Sequence, residues 1–250
     1  MFDFGELESG WDHRAFVAGA TGYVGRILVE LLMEHCVETV AHIRPDQSEI
    51  DSWVNHFHSV GATIDLTNWE QVEMSNTLAR IKPTIVFALL GSHKSRMRTK
   101  RNRRPNPFVD SYEAVDYGLN VMLARAAASA GSNPRLVFIS SVNAKEKTGN
   151  DFYKTRWQTE EFIKKTRLPY TIVRSPAIKN GGRTDSRSKK EDVKVMLKDG
   201  LYALAGVGGA SKIEKRLTSI SNENIADALF KAAFSPNCSN KILLPEDYRD

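Results

Sequence analysis

Residues 14–32, RAFVAGATGYVGRILVELL, limit what this chain can fold into more than any other stretch, because an apolar run breaks there into a glycine-rich turn and resumes as a helix. Residues 15–18 have the length and continuity of a strand buried on both faces, as in a parallel sheet. Gly19, Gly22 and Gly25 follow at intervals of three, and Val24, Ile27, Leu28, Leu31 and Leu32 then recur at helical spacing. One face of that helix can therefore lie on the sheet. A strand, a turn and a helix in this order aim unpaired backbone N–H groups and the positive end of the helix dipole at one point, where a dinucleotide pyrophosphate settles. Gly19 permits the tight turn. Gly22, with Thr21, Tyr23 and Val24 around it, lets the backbone close on phosphate, and Gly25 lets helix and strand pack closely. The spacing is G-x-x-G-x-x-G with no Gly-Lys-Ser/Thr after it, which argues against a Walker-type triphosphate loop.

The rest of the chain repeats the alternation. Strands are expected at 39–43, 62–65, 84–90, 135–140 and 170–174, and helices at 49–59, 69–81, 108–130 and 153–166. Six strands alternating with helices imply an α/β fold, a doubly wound parallel Rossmann-type sheet of order 3-2-1-4-5-6. Ligands of such sheets bind beyond the carboxyl ends of the strands, which puts residues 19–25, 44, 65–66, 91–104, 140–143 and 175–190 on one rim. After residue 176 the alternation loosens, with a loop at 179–190, helices at 191–198 and 223–234, and strands at 213–220 and 241–244. This segment is expected to form a small C-terminal substrate-side cap. Residues 1–250 thus form a single domain, with a flexible acidic lead-in at 1–13, a core at 14–176 and the substrate-side segment at 177–250.

At 250 residues the chain can bury a sizeable core. It has no apolar run of about 18 residues, and Asp3, Glu6, Glu8 and Asp12 make its start unlike a secretory leader. No membrane insertion and a cytoplasmic location are expected. Cys36 and Cys238 form no C-x-x-C pair, which argues against a disulfide scaffold. The six histidines supply no metal site, because His56 and His58 point about 200° apart on one helix. The basicity is local: residues 94–104, KSRMRTKRNRR, hold seven basic residues and no acidic one, which outweighs the net charge of +5. That stretch is a solvated insertion, an attractor of an anionic ligand together with Arg183, Arg187, Lys189 and Lys190, or a nucleic-acid contact without the interleaved aromatics such contacts use.

The landmarks VAGATGYVG at 17–25, AHIRPD at 41–46, Asp65-Leu66, VFALLG at 86–91, FISS at 138–141, TIVRSP at 171–176 and RLTSISNENIADAL at 216–229 resemble, in order, those of the atypical short-chain dehydrogenase/reductase superfamily. The resemblance implies an NAD(P)-binding protein similar to NmrA-like and NAD-dependent epimerase-like members. Arg44 stands where a carboxylate would accept the ribose 2′-OH of NAD, so it implies a 2′-phosphate and NADP(H) rather than NAD(H). Asp65 and Leu66 are implied near the adenine, and Gly91 near the ribose.

For catalysis the superfamily's reductases use a Tyr-x-x-x-Lys pair, in which the lysine lowers the tyrosine pKa. Here the stretch reads Phe152-Tyr153-Lys154-Thr155-Arg156-Trp157, and neither register supplies both partners. Ser141, Tyr153 and Arg156 are the candidate catalytic residues. Two functions stay open: an oxidoreductase on a small, anionic substrate without the usual pair, or a non-catalytic NADP(H)-binding redox sensor or accessory subunit. Its partner is accordingly a small-molecule substrate or another protein, and the chain is a monomer or a homodimer.

Overall fold

Each core strand is a short apolar run whose alternate side chains enter different layers. The computed structural model describes residues 3–47, 49–91, 111–179 and 218–249. β1 (Arg14–Ala18) leads through the glycine turn into α1 (Tyr23–Glu34), followed by β2 (Glu38–His42), α2 (Ile50–Ser59), β3 (Thr63–Asp65), α3 (Gln71–Ile81) and β4 (Ile85–Ala88). A π-helical stretch, Glu113–Leu119, runs into α4 (Asn120–Ser129), and then come β5 (Arg135–Ser141), α5 (Asp151–Lys165) and β6 (Tyr170–Ser175). The chain closes with β7 (Ile178–Lys179), β8 (Ile220–Ser221), α6 (Asn222–Phe234), β9 (Lys241–Leu243) and α7 (Pro245–Tyr248).

The main sheet has the order β3-β2-β1-β4-β5-β6-β9, with every neighbouring pair parallel. This is the expected doubly wound order, extended by one strand. Ala15 and Val17 of β1 pack with α1 and α6 on one face, while Phe16 and Ala18 pack with α3 and α4 on the other. Period-two alternation with both faces apolar is what a central parallel strand requires.

Part of the expected cap belongs to the core instead. α6 buries Ile225, Ala226, Leu229, Ala232 and Phe234 completely in the layer that contains α1. β9 pairs with β6 through Thr171↔Lys241, Ile172↔Ile242 and Val173↔Leu243. A helix with so wide an apolar face cannot serve as a solvated cap, and its burial carries the following strand to the sheet edge. The remaining cap, residues 180–217, lies outside the described residues, as does the basic run 94–104. The helix expected over 108–130 is described from residue 111 and opens as a π-helix rather than an α-helix. Residues 3–13 run along the end of α6: Glu8 N–H donates to the Phe234 carbonyl at 2.9 Å, Phe4 packs on the core, and His13 meets Phe234 edge-on at 5.2 Å.

Candidate functional site

The rim at the carboxyl ends of β1, β2 and β4 holds a cavity of about 1020 Å³, a size that suits an extended ligand. Its floor is the turn between β1 and α1. Gly19 has φ +89°, and a Cβ on it would sit 2.9 Å from the Leu89 carbonyl oxygen. A Cβ on Gly25 would come 2.2 Å from the Gly19 carbonyl oxygen. Neither position accepts a side chain. α1 begins at Tyr23 with Gly22 as its N-cap; no side chain caps it, and no acidic residue occupies its first turn. Its leading N–H groups are therefore left for an anion. Gly19, Thr21, Gly22, Tyr23, Val24 and Gly25 all line the cavity, as do Arg44 and Gly91.

Arg44 follows β2 with its side chain one-third exposed and its Nε 3.4 Å from Asp46 Oδ1. His42 and Arg44 lie two residues apart and both line the cavity. His42 is buried, its Nε2 donates to the Thr67 carbonyl at 2.8 Å, and Trp69 meets its ring edge-on at 4.6 Å. Burial holds its pKa below the ordinary histidine value, against the opposing pull of the Thr67 carbonyl and Asp65. Asp65 and Leu66 do not line the cavity. Asp65 is buried and accepts from the Thr67 hydroxyl at 2.8 Å, while Leu66 is 45% exposed. The chain after β3 instead presents Asn68 and Trp69, and α2 presents Trp53. The indole N–H groups of Trp53 and Trp69 are buried with no hydrogen-bond partner among the described residues. The sequence reading missed Asn68, Trp53, Trp69 and His42, although His42 closes β2 only two residues before Arg44 and was a usable signal.

The other end of the cavity is built where α5 crosses the ends of β4 and β5. Phe152 and Arg156 line it; Tyr153, Ser141 and Trp157 do not. The spacing of four residues places Phe152 and Arg156 on one helix face. Of the two pairs the sequence offered on this helix, Phe152 with Arg156 lines the cavity and Tyr153 with Trp157 does not. Tyr153 is half-buried with its ring edge-on to Phe152 at 5.5 Å. Ser141 is buried at the end of β5, where its Oγ accepts the Asn143 N–H at 3.3 Å. Arg156 is 6% exposed; its Nη2 meets Asp116 Oδ1 at 2.7 Å and its Nη1 donates to the Ile139 carbonyl at 2.9 Å. Asp116 is fully buried in the π-helical stretch, whose backbone is tied down by Asn120 and Thr159 donating to the Asp116 carbonyl at 2.9 and 3.0 Å. Arg156 also lies over the rings of Phe138 and Phe152, 5.4 and 5.2 Å from their centroids. A guanidinium held this way stays charged and shares no proton.

The sequence profile of a family described as NAD(P)H-binding matches residues 19–236, from the first glycine of the turn to two residues past α6. The chain belongs to this NAD(P)H-binding family. Curated relatives of this NAD(P)H-binding protein include protein FMP52, mitochondrial, of Lodderomyces elongisporus, 32% identical over 83 residues, or 33% of this chain and 34% of that one. Protein fmp52-1, mitochondrial, of Aspergillus terreus is 25% identical over 178 residues, 68% of each chain. The chain thus spans about a third of the first relative and two-thirds of the second.

Solved structures with the same fold include the Bordetella bronchiseptica enzyme WbmG in complex with NAD, at TM-score 0.60 and 11% identity over 92% of this chain and 71% of that one. They also include AtPrR2 with NADP⁺ and (+)pinoresinol, at TM-score 0.62 and 15% identity over 96% and 70%. These neighbours share the doubly wound parallel fold that the alternation of strands and helices led us to expect.

The cytoplasmic expectation is overturned, because the matching FMP52 relatives are named as mitochondrial proteins. A compartment is set by receptor-read signals rather than by the composition of a folded domain. No helix among the described residues is long and apolar enough to cross a membrane.

Proposed function

We propose that this protein holds NADP(H), in preference to NAD(H), along the rim cavity, that it works in mitochondria like its named relatives, and that it has no tyrosine-type proton donor. The observation that carries the last point is the cavity-facing pair on α5, Phe152 and Arg156. In this reading the uncapped N-terminus of α1 and the Gly19–Gly25 turn hold the pyrophosphate, with Thr21, Tyr23 and Val24 beside it, and Arg44 pairs with the 2′-phosphate after releasing Asp46. Asn68 and Trp69 flank the adenine in place of Asp65 and Leu66, which do not line the cavity. Gly91 stands on the ribose side.

A bound nicotinamide supplies hydride chemistry, but Phe152 has no proton to give and Arg156 keeps its own. Such a site suits a redox-state sensor or a cofactor-holding subunit better than a carbonyl reductase. Any turnover would rest on positioning rather than on acid catalysis. Solved neighbours hold NAD in one case and NADP⁺ in another, so the preference rests on Arg44.

The test is calorimetric titration with NADPH, NADP⁺, NADH and NAD⁺ of the wild type and of Arg44→Ala. NADPH should bind at least tenfold tighter than NADH, and Arg44→Ala should erase that difference while NADH binding persists. Equal binding in the wild type, or no dinucleotide binding at all, refutes the assignment. Robust NADPH-linked carbonyl turnover that disappears in Tyr153→Phe or Ser141→Ala would restore an enzyme with a conventional hydroxyl donor.

A further inference from the structure

The turn between β3 and α3 is fastened from three sides. His42 Nε2 donates to the Thr67 carbonyl at 2.8 Å, the Asp65 carboxylate accepts the Thr67 N–H at 3.2 Å and its hydroxyl at 2.8 Å, and the Thr77 hydroxyl donates to Thr67 Oγ1 at 2.8 Å. Asn68 follows directly, its own carbonyl accepting the Glu70 N–H at 2.8 Å, so the turn holds its backbone in place. It belongs to the cavity wall. Glu73, in the first turn of α3 and outside that wall, accepts the Asn68 Nδ2–H at 3.1 Å. A carboxylate has no proton to donate, so this bond fixes which way round the amide stands, with its nitrogen toward Glu73 and Oδ1 left over. Among the described residues no donor meets that oxygen. Trp69, beside it in the wall, offers aromatic surface that suits a flat base of any kind.

We infer that Asn68 reads the base of the dinucleotide, accepting a hydrogen bond from the exocyclic 6-amino group of adenine, and that Glu73 is the positioning residue that keeps the amide from turning round. The inference rests on the proposed reading, which puts the base beside Asn68 and Trp69. Adenine carries a donor at position 6, where hypoxanthine and guanine carry a carbonyl oxygen. Facing Asn68 Oδ1, such an oxygen sets acceptor against acceptor. Turning the amide to donate to it would set Oδ1 against the Glu73 carboxylate instead. Either arrangement leaves two oxygens opposed, and that repulsion is what discriminates. An asparagine without this partner would serve both bases, because its amide presents a donor on one side and an acceptor on the other. The selectivity therefore belongs to the pair. Asp65, which the sequence put near the adenine, is engaged by Thr67 and leaves this task to its neighbour.

The probe is the hypoxanthine analogue of NADPH, in which an oxygen replaces the 6-amino group and N1 gains a proton, while phosphates, riboses and nicotinamide are unchanged. Calorimetric titration compares it with NADPH in the wild type, Asn68→Ala and Glu73→Gln. Asn68 and Glu73 are both exposed, so neither substitution threatens the fold. The wild type should prefer NADPH by about fivefold or more, the effect of one hydrogen bond exchanged for a repulsive contact on an open rim. Asn68→Ala should weaken NADPH and bring the ratio to about one. Glu73→Gln should strengthen the analogue and close most of the gap, because a glutamine amide can answer Asn68 in either orientation. A merely structural role for Glu73 would weaken both ligands together and improve neither. Equal binding of the two ligands by the wild type overturns the inference. A preference that survives Asn68→Ala overturns the reading of Asn68, since the altered N1 would then account for it, and one that survives Glu73→Gln overturns the role of Glu73. Failure of NADPH itself to bind brings down the cofactor assignment and this inference with it, whereas tight NADPH binding without base preference brings down this inference alone.

Discussion

Arg156→Met tests how far the buried ion pair holds the site together. The variant keeps most of the side-chain volume but removes the charge that faces Asp116 at 2.7 Å, and Asp116 has no solvent exposure. Breaking a buried pair by deleting one partner costs about 3–5 kcal/mol, because an uncompensated charge is left behind. For a chain of this length that corresponds to a loss of roughly 6–20 °C in melting temperature. The same deletion also removes the donor to the Ile139 carbonyl and the stacking on Phe138 and Phe152, which belong to Arg156 alone. A double-mutant cycle separates these contributions. Asp116→Asn, Arg156→Met and the double variant are unfolded in urea and followed by circular dichroism. The double variant should be less destabilised than the sum of the singles by about 2 kcal/mol or more, since each single removes one charge of the pair and the double removes both. Additive losses, or a cost below about 1 kcal/mol for Arg156→Met, would refute the view that the pair is a tightly coupled buried unit.

Other consequences are as direct. Gly25→Ala puts a Cβ 2.2 Å from the Gly19 carbonyl oxygen and should abolish NADPH binding in calorimetry even where the protein still folds; retained binding would mean that the turn does not hold the phosphates. Arg135 Nη1 donates to the Ala233 and Ser235 carbonyls, both at 2.8 Å, at the end of α6, so Arg135→Ala should cost about 1.5–3 kcal/mol in urea unfolding. His42 is held below its ordinary pKa by burial, so between that lowered value and about pH 6.5 the unfolded chain binds more protons than the folded one. Its contribution to stability is therefore complete above about pH 6.5 and is lost as pH falls toward the folded pKa, and an imidazole NMR titration with a midpoint at or above 6.5 would contradict this.

What could be read from the sequence is local. The strand, turn and helix at residues 14–32 are encoded by neighbours in the chain, and the glycines are where φ or close approach demands them. The order of the first six strands follows from the alternation and the handedness of crossovers. β9 could not be placed, because it is three residues long and its partner β6 lies some seventy residues earlier. The helix phase of α5 was equally hidden, since Phe152 or Tyr153 can face the cavity equally well on spacing alone. Asp116 decides it, and its pairing with Arg156 spans forty residues and depends on a π-helical stretch that no propensity signals. Trp53 and Trp69 carry no motif in a linear reading, and only the folded rim brings both into the wall of one cavity.

Gly91 owes its identity to a side chain sixty-five positions away. A Cβ there would lie 2.6 Å from Arg156 Nη2, on the line the guanidinium takes to reach Asp116. Positions 91, 116 and 156 are thus one inherited character rather than three. In a descendant that exchanged the arginine for a shorter residue, position 91 would be released to acquire a side chain and position 116 to lose its carboxylate, whereas any lineage keeping the arginine should retain both.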